Sequence, residues 1–244
     1  MRIRMRLPLG RTLLFLALFA MAMMAMLPLR LVLDWIGIDR HGFAAREVRG
    51  SVWFGSMSDA QLGAASVGDV QARLRTLPLL VGRARVDLLR GGTDALSGGV
   101  TVTSGSFGID DMNARLSLGD ALAPLPVGAV DLRDLTARFS DGACSEADGL
   151  VRAAVAGEVA GVALPGGLSG NARCDGRMLL LPLASQSGME SLFIRLSGDG
   201  RYRTDLLLRI NDPAIAPRMA ALGFTSTPRG YRLRIEGGLS GAAN

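Results

Sequence analysis

The sequence contains no lysine; all 27 of its basic residues are arginine. It has one histidine, His41, two cysteines, and an aromatic content of only 5%. These shortages exclude whole classes of chemistry. One histidine and two cysteines cannot supply the ligand set of a zinc or iron site, and His41 lies far in sequence from both thiols, which argues against a thiol–histidine nucleophile pair. No Gly-x-Ser-x-Gly elbow, phosphate-binding loop, EF-hand loop or His-x-x-x-His pair is present. A general base would have to be a carboxylate. The adjacent acid pair Asp110-Asp111 falls where a strand pattern changes phase, and it reads as a solvated turn or a bulge. No catalytic residue, metal site or cofactor is predicted.

The sequence pI of about 10.4 suggests nucleic acid at first sight. The charge distribution argues otherwise. Net charge is +5, and Arg2, Arg4, Arg6 and Arg11 account for all but +1 of it. The remaining arginines mostly alternate with apolar residues, as in Arg201-Tyr202-Arg203 and Arg232-Leu233-Arg234. That is the pattern of a solvated sheet face, and few aromatics are available to stack bases. No nucleic-acid partner is predicted.

What the chain has in quantity is apolar residues, 49% of the total, with a mean hydropathy of +0.30. Many are concentrated near the N-terminus. A basic tail over 1–11 precedes an uncharged run from Thr12 to Leu29, followed by Arg30 and Trp35. Read as a helix over 12–33, this is a transmembrane anchor with a snorkelling arginine and an interfacial tryptophan. The leading arginines place the N-terminus in the cytoplasm and the rest of the chain across the membrane. A cleaved signal peptide ending at Ala20-Met21-Ala22 is the rival reading, but the apolar run continues past that point. Residues 34–45, with His41, form a juxtamembrane connector, and 46–244 the exported body.

Period-two alternation dominates that body. Val70, Ala72 and Leu74 alternate with Gln71, Arg73 and Arg75; Ala84, Val86 and Leu88 alternate with Arg83, Arg85 and Asp87. The 32 glycines are spread through the chain, as tight turns between short strands require. Two helical interruptions are expected. One is the Leu77–Gly82 segment. The other runs from Pro213 to Gly223, with Asp212 as N-cap and proline at the first position. The prediction is a mainly β fold, a curved antiparallel meander of about ten to thirteen strands. It would be sandwich-like or groove-like, with one or two short helices and a weak echo between 46–120 and 130–238.

Cys144 and Cys174 form an even pair in a chain predicted to be exported, most simply a disulfide, with free thiols as the alternative. Trp53 lies in the consecutive run Val52-Trp53-Phe54, of which at least one member must face inward; it reads as a core aromatic or as an exposed anchor for a partner.

The block Gly50-Ser51-Val52-Trp53-Phe54-Gly55, then Val67-Gly68-Asp69-Val70, then Leu77-Pro78-Leu79-Leu80-Val81-Gly82, resembles the type II secretion system protein N family. The basic-flanked N-terminal segment and the closing run from Leu206 to Leu233 share in the resemblance. Family members often carry a further aromatic where this chain has Ala72 and Leu74. The resemblance marks Gly50, Trp53, Gly55, Gly68, Leu77, Pro78, Leu80 and Gly82 as structural motif residues. It implies a single-pass inner-membrane subunit with a periplasmic β domain and no enzymatic activity. Such a subunit would couple to other secretion components, such as the secretin or the inner-membrane platform, in export of folded proteins. A periplasmic carrier of lipid or another hydrophobic ligand, of the AsmA-like kind, is the competing expectation.

Overall fold

Alternating apolar and polar residues give each strand one face that must leave water. In the computed structural model these strands form one 16-stranded antiparallel sheet plus a separate two-stranded hairpin. The structure describes residues 9–31, 43–62, 65–92, 94–118, 127–155, 158–159, 162–163, 167–210 and 212–238. Helix α1 (Leu9–Ala25) comes first, followed by β1 (Phe43–Ala44), β2 (Glu47–Gly50), β3 (Gly55–Leu62) and β4 (Ala65–Arg75). The single turn α2 (Thr76–Leu79) leads to β5 (Ala84–Arg90), β6 (Leu96–Val102), β7 (Ser106–Ser117), β8 (Val127–Ser140) and β9 (Ala143–Val155). The hairpin β10 (Glu158–Val159) and β11 (Val162–Ala163) stands off the sheet. The sheet resumes with β12 (Leu168–Asn171), β13 (Arg173–Asp175), β14 (Met178–Ala184), β15 (Glu190–Leu196) and β16 (Arg201–Leu208). A 3-10 turn (Pro213–Ile215) and α3 (Ala216–Ala221) precede β17 (Thr225–Thr227) and β18 (Gly230–Gly238).

Neighbours in sequence are, with few exceptions, neighbours in the sheet. The order is β1-β3-β4-β5-β6-β7-β8-β9-β12-β14-β15-β16-β18-β17, with β2 added on β3 and β13 on β14. The described strands are more numerous than the expected ten to thirteen because short two- to four-residue strands such as β1, β2, β10, β11, β13 and β17 add to the long ones. Among the described residues no strand joins the first edge to the last, so the sheet stays open.

The registers sort the described turns of the sheet to two ends. Gly50 pairs with Gly55, Ala84 with Val102 and Ser106 with Ser140, so the 51–54 loop, α2 and the 103–105 and 141–142 turns share one end, here termed the near end. Leu62 pairs with Ala65, Ala184 with Ser191 and Leu208 with Tyr231, which places the 185–189 turn, α3 and the 228–229 turn at the far end. Asp212 caps the Pro213 turn as its sequence predicts, accepting from the Ala214 N–H at 2.8 Å.

The apolar faces form one core. Val151 and Leu208 are fully buried, and Leu183 and Leu192 nearly so. At the far end α3 drops Met219 into this core, beside Phe224, Tyr231 and Leu233. The sheet also curls on itself. The β5–β6 hairpin is shorter than its flanking strands, and beyond its tip Ser66 of β4 pairs directly with Ser117 of β7. Arg90 holds that closure. Its guanidinium donates to the carbonyls of Val67 on β4, of Arg115 on β7 at 3.4 Å and, through Nε, of Asp94 at 2.7 Å.

Asp59, Asp111 and Asp134 adopt φ near +50° beside register shifts in β3, β7 and β8, so the phase slip at Asp110-Asp111 is a β-bulge. The expectation that this acid pair is a solvated turn needs correcting for one member: Asp111 is exposed, but Asp110 is buried.

The N-terminal segment also departs from expectation. The predicted helix over 12–33 instead spans Leu9–Ala25, 17 residues. At 1.5 Å per residue that is about 25 Å, short of a hydrocarbon core of roughly 30 Å. No helix among the described residues is long and apolar enough to cross a membrane. Pro28 marks a break in the helix; residues 29–31 are helical again, and the residues at the break contact the sheet. Leu27 accepts from the Val52 N–H at 3.0 Å, Pro28 bridges to Ser51, and Leu29 is buried in the core. Trp35 and His41 lie outside the described residues. Phe43 and Ala44, expected in a connector, form the first edge strand against Leu62 and Gln61.

Cys144 on β9 and Cys174 on β13 form a disulfide with Cα atoms 5.6 Å apart. It ties β13 to the sheet's midpoint, beside the hydrogen bond from the Cys144 N–H to the Arg177 carbonyl at 2.9 Å. Cys144→Ala/Cys174→Ala should lower stability by about 3–4 kcal/mol in the chain-entropy model. Urea unfolding of the oxidised protein against the double variant measures this, and identical midpoints would refute it.

Candidate functional site

The near end gathers the N-terminal segment, the 51–54 loop and α2, and with them most of the residues marked by the sequence motif. Gly50 has φ +87°, which lets the chain leave β2 and turn sharply. Ser51 closes the turn by exchanging backbone hydrogen bonds with Phe54 at 3.1–3.2 Å. Of the three consecutive apolar residues, Val52 points inward, Trp53 is half-buried and Phe54 is exposed, with the Arg73 guanidinium 5.7 Å from its ring centroid. A core role for Trp53 is therefore only partly met, and Val52 takes the inward position.

Gly55 has a different reason to be glycine. A Cβ there would collide with Cδ2 of Leu29. The missing side chain is the socket into which Leu29 fits, and burying a leucine contributes roughly 1.5–3 kcal/mol. Gly68 combines φ +77° with a tight neighbour: a Cβ would lie 2.8 Å from Nη1 of Arg90, so this glycine admits the guanidinium that closes β4 on β7. Sequence reasoning placed both glycines in the motif without seeing either partner, since Leu29 and Arg90 come from elsewhere in the chain.

Leu77, Pro78 and Leu80 project from the near end. The N–H groups of Leu80, Val81, Gly82 and Arg83 all bond back to carbonyls of residues 77–79, at 3.0–3.2 Å. Gly82, at φ +71°, returns the chain to β5. The N–H groups of residues 80–83 are thus bonded within the turn, while Leu77, Leu80 and Val81 are 77%, 83% and 73% exposed.

The outer face carries a second arrangement. Arg75 of β4 pairs with Asp87 of β5, Asp87 with Arg85, Arg85 with Asp110 of β7, Asp110 with Arg138 of β8, and Arg138 with Glu146 of β9. Thr101 of β6 joins by donating to Asp110 at 2.5 Å. The ladder of alternating charge crosses six strands. A smaller one is centred on buried Asp205, which meets Arg234 at 2.9 Å and Arg195 and Arg232 at 3.6 Å; Arg195 also reaches Asp175. Arginine's fixed fork can bind two carboxylates at once, which a lysine ammonium does less well. Among the described residues no group of three or more His, Cys, Asp or Glu side chains could hold a metal.

Asp110 shows what the ladder does electrostatically. Burial alone would push its carboxyl up. The hydrogen bonds from Thr101 and Arg138, with the charges of Arg138 and Arg85, outweigh burial and hold it below the ordinary aspartate range.

A sheet whose outer face carries ladders of paired charge, with its N-terminal segment seated beside the first edge, defines a β scaffold protein. Its apolar near end, its outer face and its open edges are the surfaces left for other molecules. Residues 41–234 match the model of the type II secretion system (T2SS) protein N, and the chain belongs to that family. Neither a curated protein nor a solved structure matches it. Membership makes this a component of type II secretion, which works in association with other secretion subunits.

Two predictions come from these contacts. Gly55→Val should evict Leu29 and free the segment behind α1. Limited trypsinolysis should then cut after Arg30 faster than in the parent, with the sheet intact; an unchanged rate would refute the socket. Asp110 contributes stability that is complete above the unfolded aspartate pKa of about 3.9 and lost as pH falls through its lower folded value. Asp110→Asn should cost roughly 3 kcal/mol near neutral pH, the lower end for a buried charge pair because both arginines are partly exposed. It should also flatten the acid limb of the stability profile, as read by denaturant midpoints against pH.

Proposed function

We propose that the protein is a membrane-anchored structural subunit, its β domain periplasmic, that couples the inner membrane to the rest of the secretion machinery. The observation that carries this is the seating of Leu29. A helix joined by a slack linker would only tether the domain, whereas Leu29 in the core fixes the direction in which α1 leaves the sheet. Apart from Thr12, the described side chains of α1 are apolar, and they are exposed on every face, including Leu13, Phe15, Leu16 and Phe19. A helix of this kind needs an apolar surrounding. Its shortness is of the size that bilayer thinning and a flanking arginine such as Arg30 accommodate. The leading arginines favour a cytoplasmic N-terminus, and the disulfide suits an oxidising compartment.

The buried inner face supports coupling over carriage. A hydrophobic-ligand carrier would keep an apolar trough open, but the inward residues Val151, Leu183, Leu192 and Leu208 are covered by the chain itself. The outer face and the open edges remain for partners, and unpaired strand edges recruit strands from other chains. This reading assigns the protein no chemical reaction.

Deletion of residues 34–244 in the source bacterium should reduce release of folded exoproteins. The anchored domain should restore release, while the same domain exported without its anchor should not. Unchanged release accompanied by altered outer-membrane lipid would replace the coupling reading with the carrier.

A further inference from the structure

The near end does more than receive α1. We propose that Phe54, Leu77, Leu80 and Val81 sit in the headgroup layer of the membrane that holds α1, facing anionic phospholipid. This rests on the anchored reading above.

The distribution of exposed apolar side chains is the first reason. Among the described residues after Leu31, these four are 71–83% exposed, and the next large apolar side chain, Val102, is 48%. Val102 pairs with Ala84 and so lies at the same end. Far-end residues Met189 and Leu222 are each 44% exposed. Apolar surface is therefore concentrated at one end of the sheet.

Continuity with α1 is the second. Val52 donates to Leu27 just past the helix, and its carbonyl accepts from the Leu74 N–H at 3.3 Å. Three residues later the chain reaches Leu77. A membrane that surrounds α1 therefore lies beside the 51–54 loop and the α2 turn.

The turn itself is suited to such a place. Backbone amides resist transfer to an apolar layer unless they are bonded. Here the N–H groups of residues 80–83 are all satisfied within the turn. Its side chains can enter without stranding those amides, and its shape is set beforehand.

Charge identifies the lipid. Arg30, Arg73, Arg75 and Arg83 surround the apolar residues and are exposed, and residues 71–83 contain no acid. Arg75 is partly committed to Asp87, and Arg73 lies over Phe54. Guanidinium groups flanking an apolar wedge match phosphate headgroups above acyl chains.

The test uses the full chain in vesicles of phosphatidylethanolamine and phosphatidylglycerol. An environment-sensitive fluorophore is placed in turn at Leu16→Cys, Leu80→Cys and Arg229→Cys, with the native cysteines closed in their disulfide. The label at 80 should be quenched by a nitroxide near the lipid carbonyl and several-fold less than the label at 229 by aqueous iodide. The label at 16 should respond to a mid-chain nitroxide. Iodide quenching at 80 equal to that at 229, with 16 still in lipid, would overturn the interfacial seating and leave the anchor standing. A label at 16 exposed to iodide would overturn both. In phosphatidylcholine vesicles the protection at 80 should fall, and unchanged protection would remove the arginine–headgroup match. The variant Leu77→Asp/Leu80→Asp/Val81→Asp, read by the same label at Phe54→Cys, should move position 54 into water; continued protection there would also overturn the proposal.

Discussion

A sheet with almost no helices to cover it must bury its own apolar face, and this constraint shapes everything else in the molecule. Strands in an open meander would leave Val151, Leu192 and Leu208 against solvent, yet all three are buried. The means are visible locally. Bulges at Asp59, Asp111 and Asp134 bend the strands. The short β5–β6 hairpin lets β4 meet β7, and Arg90 fills the seam by capping carbonyls that lost their ladder partners. The two caps, Leu29 at one end and Met219 at the other, are single side chains delivered by segments outside the regular meander.

The outer face answers to the same constraint from the other side. Curling exposes a broad convex surface whose strands would otherwise offer adjacent like charges. Alternating the sign from Arg75 to Glu146 across six strands turns that liability into cross-strand pairing. Each exposed pair contributes little, but Asp110 and Asp205 sit beneath arginines and are shielded from water. The absence of lysine has a structural sense here, because buried Asp110 and buried Asp205 are each met by more than one forked cation, while buried Glu190 accepts from the Ser187 hydroxyl instead.

Much of this was legible in the sequence, and what was not has a common cause. Strand faces followed from alternation, as with Val86 and Leu88 against Arg85 and Asp87. The Asp212-Pro213 helix start and the Leu77 turn were local signals and formed where expected. The disulfide followed from cysteine count and the expected compartment. Leu29 was hidden because it ends an uninterrupted apolar run, and nothing local separates a lipid-facing leucine from one captured by Gly55. Asp110 looked like half of a surface acid pair, since its partners Thr101, Arg85 and Arg138 come from three other strands. Pairwise long-range contacts carry no periodicity, so pattern reading passes over them.

The junction at Gly55 connects the architecture to the biology of a secretion subunit. On the membrane-anchored reading proposed above, force or displacement at the membrane would reach the domain only through the stiffness of the link between them. In this chain the link is short, paired by Pro28 to Ser51 and by Leu27 to Val52, and plugged by Leu29 into the same core that runs to Leu233. A motion of α1 therefore cannot be absorbed by the linker without unseating a core side chain. An anchor needed only for localisation would gain nothing from such a link. On the coupling reading proposed above, a subunit that held its edges and outer face at a fixed height and angle above the membrane would use such a link.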